Sequence, residues 1–219
     1  MRPRGGAMNA REALGRLRGL RVPAVTTGDA AAVLGISIEA ASHTLRRLAL
    51  AGLVSPVRKA VWAFDDRPDP LALGEYVTAP YPSYVSLQTA LYRHGMITQI
   101  PAMVYLVSLA RTSNVETKVA TYSVHHVQPE LFGGFEHDPG SGVKLASPEK
   151  ALVDFLYLSP TRSRLFAALP ELELPRRFRR REAERWVARI PPGRMRTIVE
   201  RELAQVFARA SRQDANDER

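Results

Sequence analysis

The chain has 219 residues and is 45 % hydrophobic, enough to bury one large core or two small ones. It contains no cysteine, which excludes disulfides, thiolate metal sites and a cysteine nucleophile. The formal net charge of +9 is distributed unevenly along the chain. Residues 1–60 hold ten Lys and Arg against three Asp and Glu, residues 76–160 are near neutral, and residues 161–219 hold fifteen basic against nine acidic residues. This distribution is typical of a protein whose N-terminal part binds a polyanion.

Two helices are predicted before residue 35. The first runs from 10 to 20, because Leu14, Leu17 and Leu20 recur at helical spacing. The second is short, runs from 30 to 34 and ends at Gly35. Three side chains before it can each accept a hydrogen bond from its first free backbone N–H groups: Thr26, Thr27 and Asp29.

A third, longer helix is predicted from its N-cap Ser37 to about Ala51, with Gly52 supplying the left-handed residue beyond its end. Glu39 in its first turn favours the helix dipole. The apolar stripe predicted to face the core consists of Ile38, Ala41, Leu45, Leu48 and Ala49. The polar and basic residues left on the other faces are Ser42, His43, Arg46 and Arg47. A short helix, a glycine turn and a longer helix with a basic outer face are typical of a unit that places its second helix in the major groove of DNA.

Two β-prone segments, 53–57 and 60–64, flank Arg58 and Lys59 and predict a hairpin with a basic tip. Such a hairpin typically places its cations on the phosphate backbone. Residues 1–68 are therefore predicted to form a winged helix-turn-helix; a three-helix protein-interaction module is the alternative. The residues predicted to contact DNA are Thr27, Ser37, Ser42, His43, Arg46, Arg47, Arg58 and Lys59.

A domain boundary is predicted near residues 65–75. Residues 65–70 are acidic and contain two prolines, which bias the chain to extended conformations. We expect the whole segment 65–75 to have nothing apolar to bury. The predicted fold class is α+β: the winged helix-turn-helix domain, a mixed α+β domain over residues 76–210, and a frayed polar tail over 211–219.

Within the second domain, Ser83 is expected to cap a helix over 84–93, ended by His94 and Gly95. Apolar runs predict strands within 103–110, 115–127 and 143–146. Ser147 and Pro148 are typical of the start of a further helix, and the apolar stripe from Met195 to Phe207 predicts an amphipathic closing helix.

Two segments of this domain resemble the AbiEi family of antitoxins. They are SYVSLQTALYRHG over 83–95 and LASPEKALVDFLYL over 145–158, and they follow the N-terminal domain in the family's order and approximate spacing. The resemblance implies a two-domain antitoxin that represses its own operon through double-stranded operator DNA and counters a cognate nucleotidyltransferase-like toxin. It carries the DNA-contact role to Arg46, Arg47, Arg58 and Lys59, and it carries no toxin-neutralising role to any single residue.

Lys150 and Asp154 lie four residues apart on the predicted helix of the second segment. We expect them to form a solvated ion pair with no functional role.

An enzyme is the weaker hypothesis. Glu116-Thr117-Lys118 matches half of a metal-dependent nuclease site, but no Asp or Glu lies between Glu75 and Glu116 to share the metal. His125 and His126 are adjacent on a predicted strand, so their side chains should point to opposite faces and not share an ion. We expect no catalytic residues, no metal and no cofactor.

The N-terminus is basic and no apolar segment follows it, so we expect no signal peptide, no membrane partner and a cytoplasmic location. The predicted function is an antitoxin and transcriptional autorepressor. The alternative is a ligand-responsive regulator, which an apolar pocket near Tyr84, Tyr92 and Tyr105 would favour, and a nuclease is the third hypothesis.

Overall fold

The computed structural model describes residues 9–65, 67–158 and 172–217. The first part, here called the head, comprises residues 9–64 and forms three helices and an antiparallel sheet with strand order β1-β3-β2. Its elements are α1 (Ala10–Arg18), β1 (Ala24–Thr26), α2 (Thr27–Leu34), α3 (Ile38–Leu50), β2 (Ser55–Arg58) and β3 (Val61–Ala63). A core of buried side chains holds the three helices together, with Leu17, Leu34 and Leu45 at its centre.

The turns and caps of the head follow from local chemistry. Thr26 and Asp29 form a capping box at the start of α2, each side chain accepting a hydrogen bond from the other's backbone N–H at 3.0 Å. Gly35, at φ +66°, ends α2, and the Ser37 hydroxyl accepts a hydrogen bond from the N–H of Ala40 at the start of α3. The predicted order of a short helix, a glycine turn and a longer helix is therefore present, whereas strand β1 was not predicted.

The segment between head and body is packed rather than extended. Pro68 is buried, and residues 70–73 form a 3-10 helix that buries Ala72 and Leu73 before α4 (Gly74–Thr78). These side chains share one apolar cluster with Val57 and Val61 of the head. The expectation that this segment has nothing apolar to bury is wrong, because Leu71, Ala72 and Leu73 supply that surface.

The body, residues 70–217, is built on a six-stranded mixed sheet of order β6-β7-β5-β4-β9-β8. Strand pairs β4–β9 and β5–β7 are parallel, and the other three pairs are antiparallel. Its strands are β4 (Ser83–Val85), β5 (Val104–Ser108), β6 (Ser113–Glu116), β7 (Thr121–His126), β8 (Phe135–His137) and β9 (Lys144–Ala146). Among the described residues its remaining helices are α5 (Leu87–Arg93), the 3-10 turn Pro129–Leu131, α6 (Pro148–Leu158), α7 (Arg180–Ala188) and α8 (Arg194–Asp217).

The two faces of this sheet are covered by different parts of the chain. Because side chains alternate along a strand, Tyr84 and Tyr105 face one side while Val85 and Leu106 face the other. Helices α5 to α8 pack on the first side. Helix α4 and the small sheet of the head pack on the second. The head and helices α5 to α8 therefore lie on opposite sides of the body sheet.

The α+β class predicted from the sequence is confirmed, with three local corrections. Helix α2 begins at Thr27, three residues before the predicted start at residue 30, because Thr26 and Asp29 cap it there. Residues 83–85 form a strand, and the predicted helix begins only at Leu87, because β4 pairs with both β5 and β9. Helix α8 continues to Asp217, past Ser211 where a frayed tail was expected. Among the described residues no helix is both long and apolar enough to cross a membrane.

Candidate nucleic-acid interface and buried polar cluster

Helix α3 presents a charged face to solvent. His43, Arg46 and Arg47 are exposed, one turn apart, and none of them has a carboxylate partner among the described residues. The opposite side of the helix is anchored in the head core through Ala41, Leu45 and Leu48, which are fully buried. The cations are therefore held on a rigid element and remain free to bind an anion. We call His43, Arg46 and Arg47 the α3 surface.

Other side chains of α3 border this surface. Ser42 is half-buried beside it, and the Ser37 hydroxyl is occupied by capping the helix. Ile38 was predicted on the buried stripe, but 61 % of it is exposed because no described element covers the first turn of α3. Hydrogen bonds from its own backbone N–H and from the Ser37 hydroxyl lower the pKa of Glu39, so this first-turn carboxylate is ionised at neutral pH.

Thr27 does not belong to an exposed surface. It is 7 % exposed, and its backbone N–H donates to the carbonyl of Ala60 at 2.9 Å. Its hydroxyl accepts a hydrogen bond from the indole N–H of Trp62 at 3.1 Å. The prediction that Thr27 contacts DNA is thus corrected: its polar groups join the start of α2 to the β2–β3 hairpin.

The hairpin separates its two predicted cations. Arg58 lies within β2, half-buried, and its guanidinium donates to the backbone carbonyl of Val77 in α4. Lys59 lies in the turn itself and is exposed. The hairpin tip therefore carries one cation rather than two, and Arg58 ties the head to the body.

A turn of the body lies beside this hairpin. The backbone N–H of Lys118, between β6 and β7, is 3.4 Å from the carbonyl oxygen of Val57 in β2. No local pattern indicated this contact, because the two residues are far apart in the sequence.

A buried polar cluster lies on the other side of the body sheet. Lys150 and Asp154 of α6 form an ion pair although they are only 1 % and 2 % exposed. The second carboxylate oxygen of Asp154 accepts hydrogen bonds from the Tyr84 hydroxyl at 3.0 Å and the Ser86 hydroxyl at 2.8 Å. We call these four residues the buried polar cluster.

The cluster is closed by aromatic rings and a glycine. The ammonium group of Lys150 lies 4.8 Å from the ring centroid of Trp186 and 5.6 Å from that of Tyr84, an arrangement that favours the cation. Gly134, at φ +71°, passes so close that a Cβ there would lie 2.6 Å from Trp186 and 2.9 Å from Lys150. Burial and the nearby Asp154 carboxylate raise the pKa of Tyr84 well above its ordinary value, so its phenol keeps the proton it donates.

The prediction of a solvated Lys150–Asp154 pair is wrong. Strands β4 and β9 are parallel neighbours, with Val85 opposite Leu145, and helices α5 and α6 that follow them pack together. This packing places Asp154 of α6 next to Tyr84 in β4 and Ser86 at the start of α5. The two segments SYVSLQTALYRHG and LASPEKALVDFLYL form one structural unit.

A nuclease or metal site is not assembled from the predicted residues. Glu116 is exposed on the edge strand β6, and the described part of the chain contains no group of three or more His, Asp or Glu side chains that could hold a metal ion. The two adjacent histidines do point to opposite faces of the strand: His125 is buried and bonds to Ser123 at 2.9 Å, whereas His126 is exposed.

Three cavities among the described residues bear on ligand binding. One, of about 180 Å³, lies between α7 and α8 and is lined by apolar side chains that include Val187, Leu203 and Phe207. The one that Tyr84 lines measures about 10 Å³, so it is not the apolar pocket that a ligand-responsive regulator would need. A further cavity of about 300 Å³ lies between residues 69–71 and the β8–β9 hairpin. Polar side chains line much of it, including Asp69, Arg93, Glu136 and His137.

Sequence comparison assigns no relatives: no model of a known protein family matches the chain, and no curated protein matches it.

Proposed function

We propose that this protein is a cytoplasmic antitoxin and transcriptional autorepressor. Its head acts as a winged helix-turn-helix that binds double-stranded operator DNA through α3. Its body counters a cognate nucleotidyltransferase-like toxin.

The exposure of the α3 surface carries the DNA-binding part of the proposal. His43, Arg46 and Arg47 are held outward by a helix whose other face is buried, and α3 is the second helix of the unit formed with α2. In helix-turn-helix proteins this second helix enters the major groove, where side chains reach base edges and phosphates. Lys59 in the hairpin turn supplies a further exposed cation for the phosphate backbone.

The antitoxin part is supported by the two segments that resemble AbiEi proteins. They are separated by about fifty residues in the sequence and are joined in space by the buried polar cluster, in which Asp154 of one segment binds Tyr84 and Ser86 of the other. The resemblance therefore covers one packed unit of the body rather than two unrelated helices.

A ligand-responsive regulator is the second candidate, favoured by the cavity of about 300 Å³ beside residues 69–71. Its volume is at the lower end of the range for small-molecule sites. Stabilisation of the protein by a small metabolite, with a matching change in DNA affinity, would favour this candidate over the antitoxin.

The test separates repression from toxin neutralisation. The toxin is the nucleotidyltransferase-like reading frame expected next to the gene, expressed from an inducible promoter, and repression is read from a reporter under the protein's own promoter. The double variant Arg46→Ala/Arg47→Ala should lose repression and still rescue growth, because the α3 surface lies on the far side of the body sheet from α5 to α8. Arg67→Ala/Arg111→Ala removes the same charge from exposed positions outside the head and should keep both activities.

Failure of the intact protein to bind its promoter, or to rescue growth, would overturn the corresponding half of the proposal. Loss of both activities in Arg46→Ala/Arg47→Ala, with the fold intact by circular dichroism, would contradict the division of roles.

A further inference from the structure

A second basic surface lies around helix α7. Residues 172–212 contain twelve arginines, no lysine and five glutamates. These arginines belong to the body and are not part of the DNA-binding surface proposed for the head.

The backbone of this region is held in place. Glu149, buried at 2 % exposure, accepts a hydrogen bond from the N–H of Arg179 at 2.8 Å and so ties the start of α7 to α6. The guanidinium of Arg180 lies 5.0 Å from the ring centroid of Phe207 and donates to the Ser211 hydroxyl at 3.0 Å. These contacts hold the backbone that carries the neighbouring arginines.

Several of these arginines are free to bind. Arg176, Arg177 and Arg181 are exposed, and none of the three has a carboxylate partner within the described ranges. Arg181 and Arg185 of α7 and its C-cap Arg189 recur every four residues and so form a row of about 12 Å. Arg185 in this row is paired with Glu182 at 3.1 Å. Arg189 stacks on Trp186 at 4.1 Å from the ring centroid, which keeps its guanidinium plane fixed.

This surface lies apart from the head. Helix α7 packs on the side of the body sheet that carries Tyr84 and Tyr105, whereas the head packs on the opposite side. Helix α7 and the head therefore pack on opposite sides of the body sheet, and we treat α7 as a binding surface of its own.

The chemistry of the surface favours phosphate over an acidic protein. Protein interfaces have an apolar core within a polar rim. Of the large apolar side chains exposed in the described residues, none lies between 172 and 212. Arginine forks that stack on aromatic rings are suited to bidentate contact with phosphate oxygens.

We propose that Arg176, Arg177, Arg181 and Arg189, here called the α7 surface, form a second nucleic-acid-binding site that recognises the phosphodiester backbone without regard to base sequence. The source of the phosphates is DNA or RNA, since both present the same backbone chemistry.

The experiment measures binding of the full chain to two fluorescent probes, a short DNA duplex that lacks the operator and an RNA duplex of the same sequence. The background is Arg46→Ala/Arg47→Ala, which removes the two arginines of the α3 surface. Further substitution of Arg176, Arg177 and Arg181 by alanine should weaken binding to at least one probe about tenfold or more at low salt. For the DNA probe, the slope of log affinity against log salt should fall by about 0.9 for each phosphate that the variant no longer neutralises.

The matched control replaces Arg67, Arg93 and Arg111, three exposed arginines elsewhere, and should change affinity little because distant charges are screened. An equal loss of affinity in the control would overturn the proposal, because net charge alone would explain binding. Absence of binding in the Arg46→Ala/Arg47→Ala background would also overturn it. The probe that binds more tightly identifies the source of the phosphates.

The experiment distinguishes failure of the α7 proposal from failure of the proposed repressor function. The α7 substitutions leave operator binding by the head intact if both proposals hold. Loss of operator recognition with retained binding at α7 would reject only the proposed repressor function.

Discussion

Helices α3 and α6 look alike in the sequence and differ in what their charges do. Each follows a capping serine, Ser37 or Ser147, and each carries cations among apolar residues. On α3, Arg46 and Arg47 remain exposed, whereas on α6 Lys150 is buried with Asp154. The comparison teaches that a charged helix residue is available to a partner only where the fold leaves one side of the helix uncovered.

The surroundings of the two helices explain the difference. Helix α3 packs on α1 and α2, and its outer side faces solvent. Helix α6 lies against β9, α5, α7 and α8, so almost every side of it meets protein. A charge on α6 must find its counter-charge within the core, because an unpaired buried charge is strongly destabilising.

The largest effect is expected from breaking the pair in α6. Asp154→Ala leaves the ammonium of Lys150 buried without an anion and should lower the free energy of unfolding by about 3–5 kcal/mol. Replacing both residues, as Lys150→Met/Asp154→Leu, should cost less because no unpaired charge remains. Urea denaturation measures both. The control is Arg16→Ala, which removes the exposed Glu12–Arg16 pair of the same spacing in α1 and should lower the free energy of unfolding by about 0.5 kcal/mol or less. Equal destabilisation at the two sites would contradict the larger effect expected for the buried pair.

A glycine substitution sharpens the contrast in packing. Gly134→Ala meets both a left-handed backbone and the side chains of Trp186 and Lys150, so it should lower the free energy of unfolding by about 2–4 kcal/mol. Gly35→Ala in the head has the same backbone sign, φ +66°, with no atom within 4 Å of the added Cβ. It should cost only the backbone strain of about 1–2 kcal/mol. Thermal or urea unfolding of the two variants tests the difference, which vanishes if the cluster around Trp186 is loosely packed.

On the exposed helix, substitution should affect binding and leave stability unchanged. Arg46→Ala should weaken operator binding by about 1–3 kcal/mol where it contacts a base, with random DNA affected less. Its free energy of unfolding should change by less than about 0.5 kcal/mol, as is usual for surface substitutions. Titrations on both DNAs and urea denaturation give the three quantities. A destabilised Arg46→Ala would mean that α3 is not an open face.

The β2–β3 hairpin carries a half-buried, hydrogen-bonded cation, Arg58, next to an exposed cation, Lys59. Arg58→Ala removes the donor to the Val77 carbonyl and should lower the free energy of unfolding by about 1–2 kcal/mol. Lys59→Ala should leave stability unchanged, weaken operator and random DNA equally, and reduce the salt slope by about one unit. The opposite pattern, with Arg58→Ala changing the salt slope and Lys59→Ala changing stability, would reverse the assignment of the two cations.

The smallest effect is expected at the nuclease-like pair. Glu116→Ala and Lys118→Ala replace exposed side chains and should change stability by less than about 0.5 kcal/mol. Growth rescue in the toxin assay should stay as in the parent protein, and DNA incubated with Mg²⁺ should remain intact. A Mg²⁺-dependent cleavage that disappears in Glu116→Ala would revive the nuclease hypothesis.

The sequence alone determined the features that local chemistry controls. Side-chain caps and glycine turns act over three or four residues, so the starts of α3 and α6, the end of α2 and the turn at Gly35 were predictable. Periodicity likewise predicted the buried stripe of α3 from Ala41 to Leu48, the strand β5, the strand β9 and the closing helix α8, because each pattern repeats within one element.

Tertiary structure decided the rest, since it depends on what arrives from elsewhere in the chain. Ser83 and Tyr84 became a strand because β5 and β9 pair with it, overriding a local preference for helix. Lys150 and Asp154 were buried because α5, α7 and α8 close around α6, and Arg58 was diverted to Val77 because α4 lies against the hairpin. Whether a charge faces solvent is set by the neighbours that cover it, and spacing along one helix or strand carries no information about those neighbours.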